Sequence, residues 1–331
     1  MDWGFIFEQA MGSALGPDAV VYALAAIGLN VHFGYTGLLN FGQAGFMAVA
    51  AYGLAASVTS WGLPFWVGLL VGLGAAGVLA LLLGAPTLRL RAEYLAIVTI
   101  AAAEILRIVI GSVTLKDEFG GRDGLQSFSD SFTALNPYSG TVDLGLFSLS
   151  RGDAWVTTVG WVLVALSCLL VWALMRSPWG RVLKSIREDE DAVRSLGKNV
   201  FGYKMQALVL GGLFGALAGF MVALQQAAIN PDNFSTDVTF NAYAVLILGG
   251  AARVLGPVVG AVIFWFLISG LGTFFSEAAG GRDPLIPTWL MTDTQASLVR
   301  FILLGAGLAA LMILRPQGIF GDRRELAIDA R

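Results

Sequence analysis

The chain has 331 residues, of which 56% are hydrophobic and 13% charged, against about 25% charged in a typical soluble domain. This excludes an ordinary soluble globular domain and predicts an all-α, polytopic integral membrane protein. One cysteine (Cys168) excludes an internal disulfide, and with a single histidine (His32) and a net charge of −3 there is no basis for a His/Cys metal site or a histidine-based catalytic triad.

In chain order, residues 1–18 carry only the acidic charges Asp2, Glu8 and Asp18 and read as an external tail with a short surface helix. The next 70 residues, 19–88, hold no Asp, Glu, Lys or Arg, which is room for about three spans of ~20 residues. Because no Lys or Arg precedes Arg89, a basic secretory n-region is not expected. Two spans flank the glycine-rich run GYTGLLNFGQAG (34–45), and a third covers 64–84. Arg89 and Arg91 mark a cytoplasmic turn, after which 94–113 crosses outward. Loop 116–153, with a net charge of −3, belongs outside, and 155–175 returns the chain to a loop at 176–204 of net charge +3. Residues 205–229 cross again, and 230–237 form an acidic external turn. The run 241–250 would span only about 15 Å as a helix and reads as a short or broken span. Segment 257–275 then goes out, 298–314 comes back, and 315–331 is a cytoplasmic tail. Nine spans, within eight to ten, with the N-terminus outside and the C-terminus inside, satisfy every loop.

Loop 176–204 is the one strongly charged island in an apolar chain. Ser177 as N-cap and Pro178 at the first helical position start a helix, and Gly197 stops a second short one. Val182, Leu183, Ile186, Val193 and Leu196 would make an exposed apolar stripe, which is a docking surface for a partner. The alternative is a solvated loop that merely carries positive-inside charge.

Glycine and proline also interrupt the apolar blocks at 34–45 and again at 248–260 (LGGAARVLGPVVG). Broken helices of this kind line the binding region of transporters, whereas small residues elsewhere serve close helix packing. Asn30, Tyr35, Thr36, Asn40 and Gln43 add polar groups to the first interruption and make it the candidate substrate pathway, while Gly249 and Gly250 admit both readings. Glu104, three residues from Arg107 and near the middle of the fourth span, is either a further pathway residue or half of a structural pair. His32 reads as a packed or hydrogen-bonded residue rather than a proton carrier. No GxxxxGK[ST] loop is present, so an ATP-driven mechanism would need a separate ATPase subunit docked on 176–204.

The runs GYTGLLNFGQAGF (34–46), LRLRAEYLAIVTIAAAEILR (88–107), WGRVLKSIREDEDAVRSLGKNVFGYK (179–204), INPDNFS (229–235), LILGGAARVLGPVVGA (246–261) and LRPQGIFG (314–321) resemble the LivM-type permease subunit of branched-chain amino acid ABC importers. The resemblance runs in order along nearly the whole chain. It implies a single permease domain, 1–331, in a bacterial plasma membrane, with no enzymatic activity and no cofactor of its own. The implied partners are a second, LivH-type permease, two ATPase subunits that hold ATP and Mg, an extracytoplasmic substrate-binding protein and membrane lipid, but no nucleic acid or metal. It further implies that 187–196 is the coupling helix, so that Arg187, Glu188, Asp189, Glu190, Asp191, Ala192, Leu196 and Gly197 take the ATPase contact. The expected cargo is branched-chain or other hydrophobic amino acids. Urea or short amides are the alternative within the family, because Gln43 stands where many relatives have histidine, Asn40 where many have serine, and FGGRDGL (119–125) where a TGGPNG-like run is common. An ion-coupled carrier using Glu104 and His32, or a scaffold subunit with no pathway of its own, are the alternatives from other classes.

Overall fold

The computed structural model describes residues 2–90, 92–280 and 293–321. Most of the external turn expected at 277–293 and of the tail expected at 315–331 therefore lies outside the described residues. Among the described residues fourteen α-helices follow in order: α1 (Trp3–Leu15), α2 (Pro17–Leu29), α3 (Gln43–Thr59), α4 (Phe65–Thr87), α5 (Ala92–Ile110), the single turns α6 (Lys116–Phe119) and α7 (Asp130–Thr133), α8 (Arg151–Arg176), α9 (Pro178–Glu188), α10 (Glu190–Ser195), α11 (Val200–Gln226), α12 (Thr236–Gly249), α13 (Gly256–Gly280) and α14 (Asp293–Leu314). Among the described residues strands are limited to two-residue pairs: β1 (Leu125–Gln126) with β4 (Ala228–Ile229), and β2 (Val142–Asp143) with β3 (Ser148–Leu149), both antiparallel.

This is an all-α membrane protein. Each of the nine segments expected to cross is helical, but among the described residues length and apolarity support five spans: Trp3–Tyr35, α4, α8, α11 and α13. A sixth follows if α5 and the helical turns after it, bent by 61°, count as one. The helix at 43–59, the apolar part of α14 and the 14-residue α12 are shorter. The expectation for the N-terminus changes as well. The short helix expected there is present as Trp3–Leu15, but it is laid along α13 rather than free at the surface, with Trp3 on Phe274, Phe7 on Phe266 and Ser269 Oγ donating to Gln9 O at 3.1 Å.

Buried α2 is apolar on all sides and forms the centre with α3 and α11. The close approach of these helices requires glycine: a Cβ on Gly28 would stand 2.4 Å from Gly211 O, and one on Gly219 2.2 Å from Met47 O. Helices α4, α5 and α8 surround this centre and turn outward an apolar face that includes Leu82, Ile97 and Leu169. Such a face suits lipid.

The acidic loops gather at one end of the bundle. Trp61 Nε1 donates to Glu118 Oε2 at 2.8 Å, β1 of the long loop pairs with β4, and Ser148 Oγ donates to Glu8 Oε1 at 3.2 Å. At the other end, residues 34–38, 88–90, 176–204, 250–256 and 315–321 adjoin one another. The loops thus sort by charge as the sequence predicts.

Candidate functional site

The first interruption begins where α2 runs into a π-helical segment, Asn30–Tyr35. Wider turns of this type concentrate at functional positions. Thr36 Oγ1 donates to Val31 O at 2.8 Å and Leu38 N to His32 O at 2.8 Å, and the chain then runs without helix to Gln43. Away from water, each backbone N–H and C=O that the helix leaves open needs a partner from the protein. Polar side chains supply them. Thr99 Oγ1 accepts from Phe41 N (3.0 Å), Asn40 Oδ1 from Gly42 N (2.9 Å) and Thr239 Oγ1 from Ala44 N (2.9 Å), while Tyr243 OH donates to Asn40 O (2.9 Å). Thr99, Thr239 and Tyr243 were not singled out in the sequence. Their signal is a hydroxyl in an otherwise apolar helix, which does not reveal what it faces.

The candidate pathway residues Asn30, Tyr35, Thr36, Asn40 and Gln43 are all at most 2% exposed, and protein groups occupy their polar atoms. Asn40 Nδ2 lies 3.1 Å from His32 Nδ1 and 3.3 Å from Gln43 Oε1. Gln43 Nε2 donates to the carbonyls of Gly211 (3.2 Å) and Ala25 (3.4 Å), and His32 Nε2 lies 3.0 Å from Leu208 O. His32 is packed and hydrogen-bonded, as the sequence suggests. Leu208 is only about 12 Å along α11 from Val200 at 1.5 Å per residue, so this network sits toward the basic end of the 27-residue helix.

Asn30 joins the two interruptions. Its Nδ2 donates to Arg253 O at 2.7 Å, and its Oδ1 accepts from Ala252 N at 2.8 Å. The second interruption is closed by the C-terminal run LRPQGIFG: Ile319 N donates to Leu248 O and Phe320 N to Gly249 O, each at 3.1 Å. Those carbonyls end α12 and would otherwise have no partner. Gly250, with φ +108°, must be glycine, and a Cβ there would lie 2.7 Å from Gly321 N. Gly249 and Gly250 thus have close-packing work in this structure.

The basic island folds as two helices, with Ser177 Oγ accepting from Gly180 N to cap α9 and Gly197 at φ +76° ending the second. Two expectations are corrected. The helix expected at 187–196 is broken at Asp189 (φ −154°, ψ 101°), where Arg187 and Glu188 close α9 and Asp189 Oδ1 accepts from Ala192 N to cap α10. The apolar stripe is not free either: Leu183, Ile186 and Val193 are buried against the bundle, and only Leu196, 79% exposed, projects. What α10 offers a partner is Leu196 amid the exposed side chains of Glu188, Asp189, Asp191 and Arg194, with Ala192 and Gly197 between them.

This loop is bonded to the first interruption. Arg187 NH1 donates to Gly34 O at 2.6 Å, and the Arg187 side chain lies against Gly37, which sits at φ +74°. Glu190 binds both Lys204 at the foot of α11 and Arg194. Loop 176–204, the π-helical segment and the second interruption form one bonded series.

At the acidic end, Arg107 pairs with both Glu104 oxygens (2.6–3.2 Å) and with Asp232 of the turn before α12. The i,i+3 pair follows from the sequence; the third member arrives from 125 residues away and is a tertiary fact. The Glu104 and Arg107 side chains are 37% and 24% exposed on a helix whose other outward residues include Ile105 and Ile108.

Against known proteins, residues 17–313 match the family described as branched-chain amino acid transport system / permease component. The high-affinity branched-chain amino acid transport system permease protein LivM of Salmonella typhimurium is 31% identical over 330 residues, covering 96% of this chain and 71% of that protein. LivM of Escherichia coli is also 31% identical, over 91% of this chain and 68% of that one. A solved structure, PsaBC from Streptococcus pneumoniae in complex with Fab, aligns with 93% of this chain and 92% of its own at 16% identity and a TM-score of 0.45, too remote to bear on fold or function. With a family match over most of its length and relatives of this identity and coverage, the chain belongs to the branched-chain amino acid ABC transport permease family.

Proposed function

We propose that this chain is the LivM-type half of a two-permease channel that imports branched-chain or other hydrophobic amino acids, driven by two ATPase subunits docked at α9 and α10. The observation that carries this reading is the bonded series from the coupling loop through Arg187 and Gly34 to Asn30 and the Ala252–Arg253 turn. A force applied at α10 reaches both helix interruptions through hydrogen bonds rather than through loose chain. ATP and Mg would be held by the ATPases, and an extracytoplasmic binding protein would deliver the amino acid at the acidic end.

Alternating access then follows. Closure of the ATPases moves α9 and α10, and the two interruptions shift together and open the pathway inward. Asn30, Thr36, Asn40 and Gln43 hold the backbone of the moving segment. Glu104 belongs to the mouth of the pathway, because its pair with Arg107 is tied to the exposed Asp232 at the acidic end, where the cargo would enter. An ion-coupled carrier is less well supported, since both ring nitrogens of His32 already have protein partners.

The test compares the wild-type chain with one in which 190–196 is a Gly/Ser linker, by co-purification from native membranes followed by ATPase and uptake assays. Wild type brings down an ATPase and a second permease, and the linker variant keeps the permease but loses the ATPase. Radiolabelled leucine, isoleucine and valine are taken up with the cognate binding protein, and urea and acetamide are not. A wild-type chain that purifies alone and transports on an ion gradient overturns the proposal.

A further inference from the structure

A groove of about 860 Å³ opens at the basic end between the last turns of α8, the start of α13 and the coupling loop. Its mouth carries three exposed cations, Arg176, Lys184 and Arg253, the last already engaged with another group of the chain, and among the described residues no Asp or Glu lines it. The Arg176 guanidinium lies over the Trp172 ring at 4.1 Å and the Lys184 ammonium 5.7 Å from the centre of the Tyr35 ring, so aromatic faces hold both charges at the rim. From Arg176 the wall runs back along α8 past Leu169 to Ala165, about 16 Å of apolar surface at 1.5 Å per residue.

We propose that this groove is a binding site for one anionic phospholipid, phosphatidylglycerol in kind, with its phosphate among the three cations and an acyl chain along Leu169 and Ala165. Charge complementarity selects the lipid class: a zwitterionic headgroup would bring its own cation into a site that holds three. Depth selects lipid over a soluble anion, because the cations cluster at the water boundary and the apolar wall continues inward from them, the pattern of headgroup pockets between membrane helices. Lys184 is on α9 and Tyr35 closes the π-helical segment. The lipid therefore touches the same junction that the coupling loop does, yet its binding does not depend on what is transported.

The experiment is native mass spectrometry of the full chain, purified in mild detergent with the subunits that accompany it and titrated with phosphatidylglycerol or phosphatidylcholine. Each surface cation contributes about a five-fold factor to anionic lipid binding, so R176Q/K184Q should weaken phosphatidylglycerol about 25-fold and leave phosphatidylcholine unchanged. R176K/K184R keeps the charge and should keep the binding, as should K116Q/R122Q, which removes two cations at the opposite end. Equal binding of the two lipids to wild type, or unaltered phosphatidylglycerol binding to R176Q/K184Q, overturns the proposal. Displacement of bound lipid by millimolar inorganic phosphate would assign the site to free anions and overturn it too.

Discussion

The link from Arg187 to Gly34 is the sharpest place to test the proposed transmission of force from α9 and α10. In R187A the charge-assisted bond of 2.6 Å to Gly34 O disappears, and the stem that packs on Gly37 disappears with it. A bond to a charged group is worth about 1.5–3 kcal/mol when well buried. Arg187 is exposed, so about 1–2 kcal/mol is the better figure, a factor of about 5–30 in the coupling equilibrium. The assay is a reconstituted importer supplied with loaded binding protein, read as ATP hydrolysed per amino acid moved. R187A should still co-purify with the ATPase, because Glu190, Asp191 and Leu196 on the outer helix are untouched. Its uptake should fall about ten-fold while basal hydrolysis continues, so that ATP consumed per molecule transported rises. R187K, with one compact donor in place of the fork, should fall between. Unchanged coupling in R187A refutes the mechanical series, and loss of the ATPase from R187A shows that Arg187 serves docking instead.

Other substitutions separate scaffold from pathway. Q43A removes three hydrogen-bond partners at a fully buried position and, at about 0.6 kcal/mol per bond in a membrane interior, should lower stability by about 2 kcal/mol. A thermal-shift measurement in detergent checks this, and an unchanged melting temperature would show that the network contributes nothing. G250V imposes a side chain at φ +108° and against Gly321, so about 1–3 kcal/mol should be lost and the end of α12 freed from residues 319–320. Faster hydrogen exchange at the Ile319 and Phe320 amides is the direct readout. R107L leaves Glu104 and Asp232 facing each other without a cation and should cut uptake several-fold at equal expression, with R107K retaining most of it. In the long loop between α5 and α8, Asp123 holds the Lys116 ammonium above its ordinary pKa. The sign is that of a raised lysine: whatever this pair contributes is fully present at neutral pH and is lost only as pH rises through the lysine range. Since the pair is fully exposed, D123N should leave thermal stability near neutral pH unchanged.

Much of this was legible in the chain. A 70-residue stretch without charge can only be membrane-embedded or core, and the alternation of acidic and basic loops fixed which loops share an end. Helix signals were also local: Ser177, Pro178 and Gly197 bound α9 and α10 because capping and φ preference depend on neighbours in sequence alone. The whole-chain run of motifs was enough to indicate the family.

Burial was not legible, because a helical period shows that one face is apolar and cannot show what covers it. Leu183, Ile186 and Val193 looked free in the sequence and are covered by the bundle. Asn30, Asn40 and Gln43 looked like a polar lining, yet only the tertiary structure reveals Arg253 O, His32 Nδ1 and Gly211 O as their partners. Asp232 joining Arg107, and Ile319 and Phe320 capping α12, are long-range pairings of the same kind. The class of molecule, the sorting of its charged loops and the places where helices break were all written in local composition. Which polar groups satisfy those breaks, and that the two breaks and loop 176–204 form one bonded series, emerge only when the helices pack. The physical reason is that charge, hydropathy and backbone preference are carried by each residue and its neighbours, whereas a buried hydrogen bond exists only once two distant segments have met.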